Sequence, residues 1–110
     1  MKTESNVRPD FIKVEKFGNM IEISICENII EVEDMFQYDY LFKQSYANDY
    51  KELVQDIIRT KYSSSDEFNL INENYIERGN VKYLEYLDFR TLAKQEANKI
   101  YPKEEIENEL

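Results

Sequence analysis

No histidine occurs among the 110 residues. The commonest general base, metal ligand and near-neutral protonation switch is therefore missing, and Ser–His and Cys–His nucleophilic devices cannot be built within one chain. The single cysteine, Cys26, has no internal disulfide partner; it falls mid-strand in Ser24-Ile25-Cys26 and reads as a small, buried or half-buried thiol, not a nucleophile. A structural zinc site needs several Cys or His ligands and is excluded. Gly18 and Gly79 are the only glycines, too isolated for a phosphate loop or a dinucleotide fingerprint. No stretch approaches the roughly 18–20 apolar residues of a membrane span. No basic start followed by an apolar run marks a secretion signal, so a cytoplasmic protein is expected. Calcium-loop spacing is also lacking, since Glu31, Glu33 and Asp34 have no turn glycine among them. The expectation is a protein without catalytic residues, cofactor or metal.

What is present points to a packed domain. Hydrophobic residues make up 42% of the chain, with nine tyrosines and six phenylalanines, and aromatic side chains bury large areas that disordered segments lack. The formal charge is −9, from 23 acidic and 14 basic residues. The excess is spread over both halves, with nine acidic and five basic residues in 1–45 and fourteen and nine in 46–110. Phosphate affinity comes mainly from Lys and Arg, so neither nucleic acid nor an anionic membrane is an expected direct ligand. Solubility explains the acidity most simply, and a basic protein partner is the other reading.

Periodicity predicts an α+β fold. Residues 1–10 are polar and read as a flexible lead-in. Beyond them Ile12 and Val14 share a face, Gly18-Asn19 offers a tight turn, and Ile21, Ile23 and Ile25 alternate with Glu22 and Ser24, which is a β-hairpin. A third strand follows the acidic turn around Glu33-Asp34, with Phe36, Tyr38, Tyr40 and Phe42 on one side and Gln37, Asp39 and Leu41 on the other. After Ser45 the period becomes helical. Tyr50, Leu53, Val54, Ile57 and Ile58 define a first helix over 48–61. Ser64 and Glu67 have capping-box spacing for a second, whose expected buried stripe is Phe68, Ile71, Tyr75 and Ile76, closed by Gly79. Asn80 caps a third, with apolar positions Tyr83, Leu84, Leu87, Leu92, Ala93, Ala97 and Ile100, ended by Pro102. The expected architecture is thus a three-stranded antiparallel sheet packed against three helices, one domain over 11–101 with an acidic tail over 102–110.

Two features carry both a functional and a plain reading. The tyrosine-rich third strand and the acidic turn before it, with Tyr38, Asp39, Tyr40, Glu31, Glu33 and Asp34, form a candidate partner-contact surface, because Tyr loses little rotamer entropy on binding. The plain reading is that one alternating face of that strand packs in the core. The run Ser63–Ser65 is a candidate modification site, more simply explained as helix capping.

The stretch NVRPDFIKVEKFGNMIEISICENIIEVED followed by QYDYLFKQ resembles the start of small proteins encoded in the tail-fibre region of phages and prophages of Gram-positive bacteria. IIRTKYSSSDEFNLINENY with YLEYLDFRTLAKQEA is similar to the helical end of such proteins. Tyr46-Ala47-Asn48-Asp49-Tyr50 departs from that pattern. The resemblance implies a phage or prophage accessory protein, tail-associated and non-enzymatic. It would act by protein–protein contact with a phage structural protein, in the host cytoplasm or in the virion, and a short sheet with open edges also admits a homo-oligomer. The alternative is an acidic inhibitor of a host nucleic-acid enzyme, which requires Glu22, Glu31, Glu33, Asp34 and Asp39 on one exposed face. An enzyme using paired carboxylates would need two of them facing each other in a concave, partly apolar pocket.

Overall fold

A computed structural model describes residues 2–102. The chain forms two compact units, Met1–Tyr46 and Ala47–Leu110. The acidic tail expected over 102–110 lies, beyond Pro102, outside the described residues.

The first unit is an antiparallel sheet of four strands, β1 Lys2–Ser5, β2 Ile12–Phe17, β3 Met20–Val32 and β4 Met35–Ser45, in the order β1-β4-β3-β2. The expected three strands are all there. The fourth, β1, corrects the reading of the whole lead-in as flexible. It carries no apolar alternation because, as an edge strand, it is held by main-chain pairing to β4, with Thr3 opposite Tyr38 and Ser5 opposite Phe36. Arg8 then lies over the Phe36 ring at 5.9 Å, and the Cys26 amide donates to the Phe11 carbonyl at 2.8 Å.

Turn chemistry sets the register. Gly18 has φ +63 while Asn19 is not in the left-handed region, the pattern of a type II′ turn that pairs Phe17 with Met20. At the other hairpin both central residues, Glu33 (φ 51) and Asp34 (φ 66), are left-handed, the type I′ pattern, and Val32 pairs with Met35. Between Glu27 and Ile30 the pairing slips by one residue, with Asn28 at φ 56. This bulge inverts the alternation, so Ile21, Ile23 and Ile25 share a face with Ile30 and Val32. The first three are fully buried, whereas Ile30 and Val32 are exposed.

The second unit holds α1 Tyr50–Lys61, α2 Ser64–Ile76 and α3 Val81–Ile100. Asp49 caps α1 by accepting from the Glu52 amide at 2.8 Å. The capping box of α2 is formed by Ser63 and Asp66, one residue earlier than the Ser64–Glu67 spacing suggested. Asn80 caps α3 as expected, and Gly79 has φ +80. Leu53, Val54, Ile57 and Ile58 of α1 and Tyr86, Phe89, Ala93 and Ala97 of α3 are buried, and these two helices pack together. Alanine at two successive turns of α3 removes the bulk that would hold α1 away. The Tyr101 hydroxyl closes the unit by donating to the Ala47 carbonyl at 2.9 Å.

One expectation about burial is corrected. The α2 stripe is exposed, at 65% for Phe68, 51% for Ile71, 85% for Tyr75 and 86% for Ile76, and no α2 residue is buried. Leu84 and Leu87 of α3 are likewise exposed, and Tyr86 and Phe89 take the interior. Periodicity fixes which residues share a helix face but not which face is covered.

Candidate protein-contact surfaces

The residues singled out on the tyrosine-rich strand and acidic turn fall into separate environments. Tyr38 is buried beside Thr3 of β1. Asp39 points to the opposite face, pairs with Glu27 in the register and accepts from Asn28 Nδ2 at 2.7 Å. Tyr40 is half exposed and stacks on Phe42, ring centroids 6.3 Å apart. Glu31 lies opposite Phe36, and Glu33 and Asp34 form the exposed hairpin tip. Of the carboxylates an acidic inhibitor would gather, Glu22 and Glu31 share a face but stand nine residues apart along β3, roughly 30 Å, and Asp39 is on the other face.

Tyr40 and Phe42 border a groove of about 390 Å³ on the sheet, together with Arg8, Asp10, Lys13, Glu15, Glu22 and Cys26. Glu15 and Glu22 are direct cross-strand partners, a like-charged pair that is unfavourable by itself. Lys13 Nζ lies 3.1 Å from Glu15 and offsets it, and that bond raises the Lys13 pKa. Burial, and then the charge of Asp10, push the Cys26 thiol up, which disfavours the thiolate. Among the described residues, no three His, Cys, Asp or Glu side chains come together to hold a metal ion.

A second polar constellation ties the three helices. Glu67 of α2 accepts from the Tyr86 hydroxyl of α3 and pairs with Arg59 of α1 at 2.5 Å. Arg90 Nη1 reaches the same hydroxyl at 3.4 Å, and the Tyr62 ring meets Tyr86 edge-on. Burial pulls the Glu67 carboxyl up, but Tyr86, Arg59 and Arg90 together outweigh it and hold it below its ordinary range. Burial first and Glu67 second raise the Tyr86 phenol. Both shifts favour the states that bond each other, the carboxylate of Glu67 and the protonated phenol of Tyr86.

The third feature is the α2 stripe that periodicity led us to expect in the interior. With 100° between successive residues, Glu67, Leu70 and Asn74 fall on one side of α2 and are the partly covered ones. Phe68, Ile71, Tyr75 and Ile76 turn outward. Ile71 and Tyr75 continue into Tyr83 and Leu84 of α3 around a groove of about 430 Å³ that Arg78 also lines. Exposed apolar patches of this extent mark contact sites on folded proteins. The signal was in the sequence as an amphipathic stripe; only its direction was hidden.

No protein-family model matches the chain, and no curated protein or solved structure shows significant similarity to it. Among the described residues no helix is long and apolar enough to cross a membrane.

Proposed function

We propose that this protein acts without catalysis, by protein–protein contact through the apolar face of α2 and the adjoining start of α3, as an accessory protein of a phage or prophage associated with the tail. The observation that carries the contact reading is the outward stripe of α2, with Tyr75 and Ile76 more than four-fifths exposed. Large aromatic and aliphatic side chains left in water at helical spacing are the recognition pattern of a helix face laid against a partner. The resemblance of residues 6–44 and of the helical segments to phage tail-region proteins supports the phage setting, and the partner class would be a phage structural protein met in the host cytoplasm or the virion. Non-catalytic action is supported by the lack of histidine and by the engagement of Glu15 with Lys13 and of Glu67 with Arg59. The inhibitor alternative draws no support from the carboxylates, which the register divides between two faces of the sheet.

The test is affinity capture from cells carrying the neighbouring genes, with the native chain and a Tyr75→Lys variant side by side. Tail or virion proteins that co-purify with the native chain and are lost with the variant support the reading. A host nuclease retained by both would replace it with the inhibitor alternative.

A further inference from the structure

We infer that the α2 face is self-complementary and joins two copies of this chain about a two-fold axis crossing α2 near Asn72. The inference rests on the contact reading above and adds a regulation to it, because the second copy and a tail protein would compete for the same face. An isologous contact needs a protrusion and a recess on one surface, set on opposite sides of the axis. Phe68 protrudes from the first half of α2, 65% exposed. The recess, lined by Ile71, Tyr75, Arg78 and Leu84, opens beside the second half. In an antiparallel pairing of α2 with itself, Phe68 of each copy enters the recess of the other. Arg78, at the rim, then meets the ring as a cation on an aromatic face. Asn72, exposed between the two features, faces its own counterpart, and a carboxamide can both donate to and accept from its twin.

The area fits. At ~150–250 Å² for a whole aromatic side chain, the exposed fractions of Phe68 and Tyr75 leave roughly 300 Å² in water. Ile71 and Leu84, which line the recess, are exposed at 51% and 49%, and Ile76, next to Tyr75 on α2, at 86%. The total is on the order of 500 Å² per copy, which for the pair reaches the roughly 1,000 Å² that a specific interface must clear, and it exceeds what single scattered apolar residues leave in water. Of the charged side chains of α2, Glu67 is turned to Arg59 and Tyr86, Asp66 is engaged with Ser63, and Glu73 lines a separate groove with Lys61 and Lys82.

The full chain, followed by sedimentation from low to high micromolar concentration, is expected to pass from monomer to dimer. Phe68→Lys weakens the dimer roughly tenfold or more with an unchanged far-ultraviolet spectrum, because the side chain lies outside the packed interior. In a Cys26→Ser background, Asn72→Cys forms a disulfide-linked dimer under diamide, whereas Lys94→Cys on the exposed side of α3 does not. A native chain that remains monomeric at high micromolar concentration overturns the inference. So does a dimer indifferent to Phe68→Lys, or a chain that dimerises only when residues 103–110 are deleted, which would make the tail the occupant of this face. A monomeric chain whose Tyr75→Lys variant still loses captured tail proteins overturns the dimer alone and leaves the contact function standing.

Discussion

The hydroxyl of Tyr86 donates to the carboxylate of Glu67, and that carboxylate also holds Arg59. One side chain of α2 thereby ties it to both of the other helices, and because α2 contributes no buried residue, this polar junction fixes its position more than apolar packing does. Glu67→Ala leaves the Tyr86 hydroxyl and the Arg59 guanidinium short of a partner in partly buried surroundings. The expected loss is about 1–3 kcal/mol, read from urea unfolding followed by circular dichroism. Glu67→Gln keeps an acceptor and should cost less, and equal losses for the two variants would show that the charge alone, and not the neutral acceptor, holds the junction.

The same junction sets a pH dependence. Glu67 and Asp66 are both held below their ordinary values of 4.5 and 3.8, Glu67 by Tyr86, Arg59 and Arg90 against its burial, and Asp66 by the Ser63 backbone amide. A carboxylate lowered on folding stabilises the fold above its unfolded value, and that contribution is lost as pH falls through the folded one. Tyr86 is raised from 10.0 by burial and by Glu67, so its contribution is complete below that pH and is lost as pH rises through the folded value. The melting temperature of the helical unit should therefore decline on both sides. Glu67→Gln should flatten the acid limb and Tyr86→Phe the alkaline one, and a variant with both limbs intact would place the titrating groups elsewhere.

Much of this architecture is legible in the residues themselves. The alternation of Ile21, Ile23 and Ile25, the glycine of the first hairpin turn and the Asn80 cap each have one local explanation that tertiary contacts do not override. What stays hidden has a common cause. β1 is held through its backbone, which no side-chain pattern records. The Asn28 bulge inverts the faces of β3 by a single unpaired residue. The outward rotation of α2 depends on the interior being filled by Tyr86, Phe89, Ala93 and Ala97 against α1, a choice that periodicity leaves open because Leu84 and Leu87 are equally apolar.

Asn28 offers a direct test of the bulge. Its φ of 56 lies where side chains with a Cβ are disfavoured, and its amide donates to Asp39 at 2.7 Å. Asn28→Gly relieves the backbone and loses the hydrogen bond; Asn28→Ala loses the bond and keeps the strain. Alanine should be the less stable of the two by about 1 kcal/mol, measured by thermal melting of matched samples. If both variants melt together, the left-handed conformation is not a constraint at this position.

The hairpin tip carries the opposite prediction. Glu33 and Asp34 occupy a two-residue turn in which both positions are left-handed, and Asn-Gly suits that turn far better than Glu-Asp. The double substitution Glu33→Asn with Asp34→Gly should raise stability by about 1–2 kcal/mol, since a left-handed residue with a Cβ costs about that much, offset in part by the freedom glycine adds to the unfolded chain. Both side chains are exposed, so no packing is lost, and unfolding midpoints decide the matter. The pair also separates stability from recognition. Backbone strain retained at an exposed acidic tip is a mark of functional use, so a substitution that raises the melting temperature while lowering capture of tail proteins would add the tip to the contact surface. A rise in stability with capture unchanged would confine recognition to the helical face.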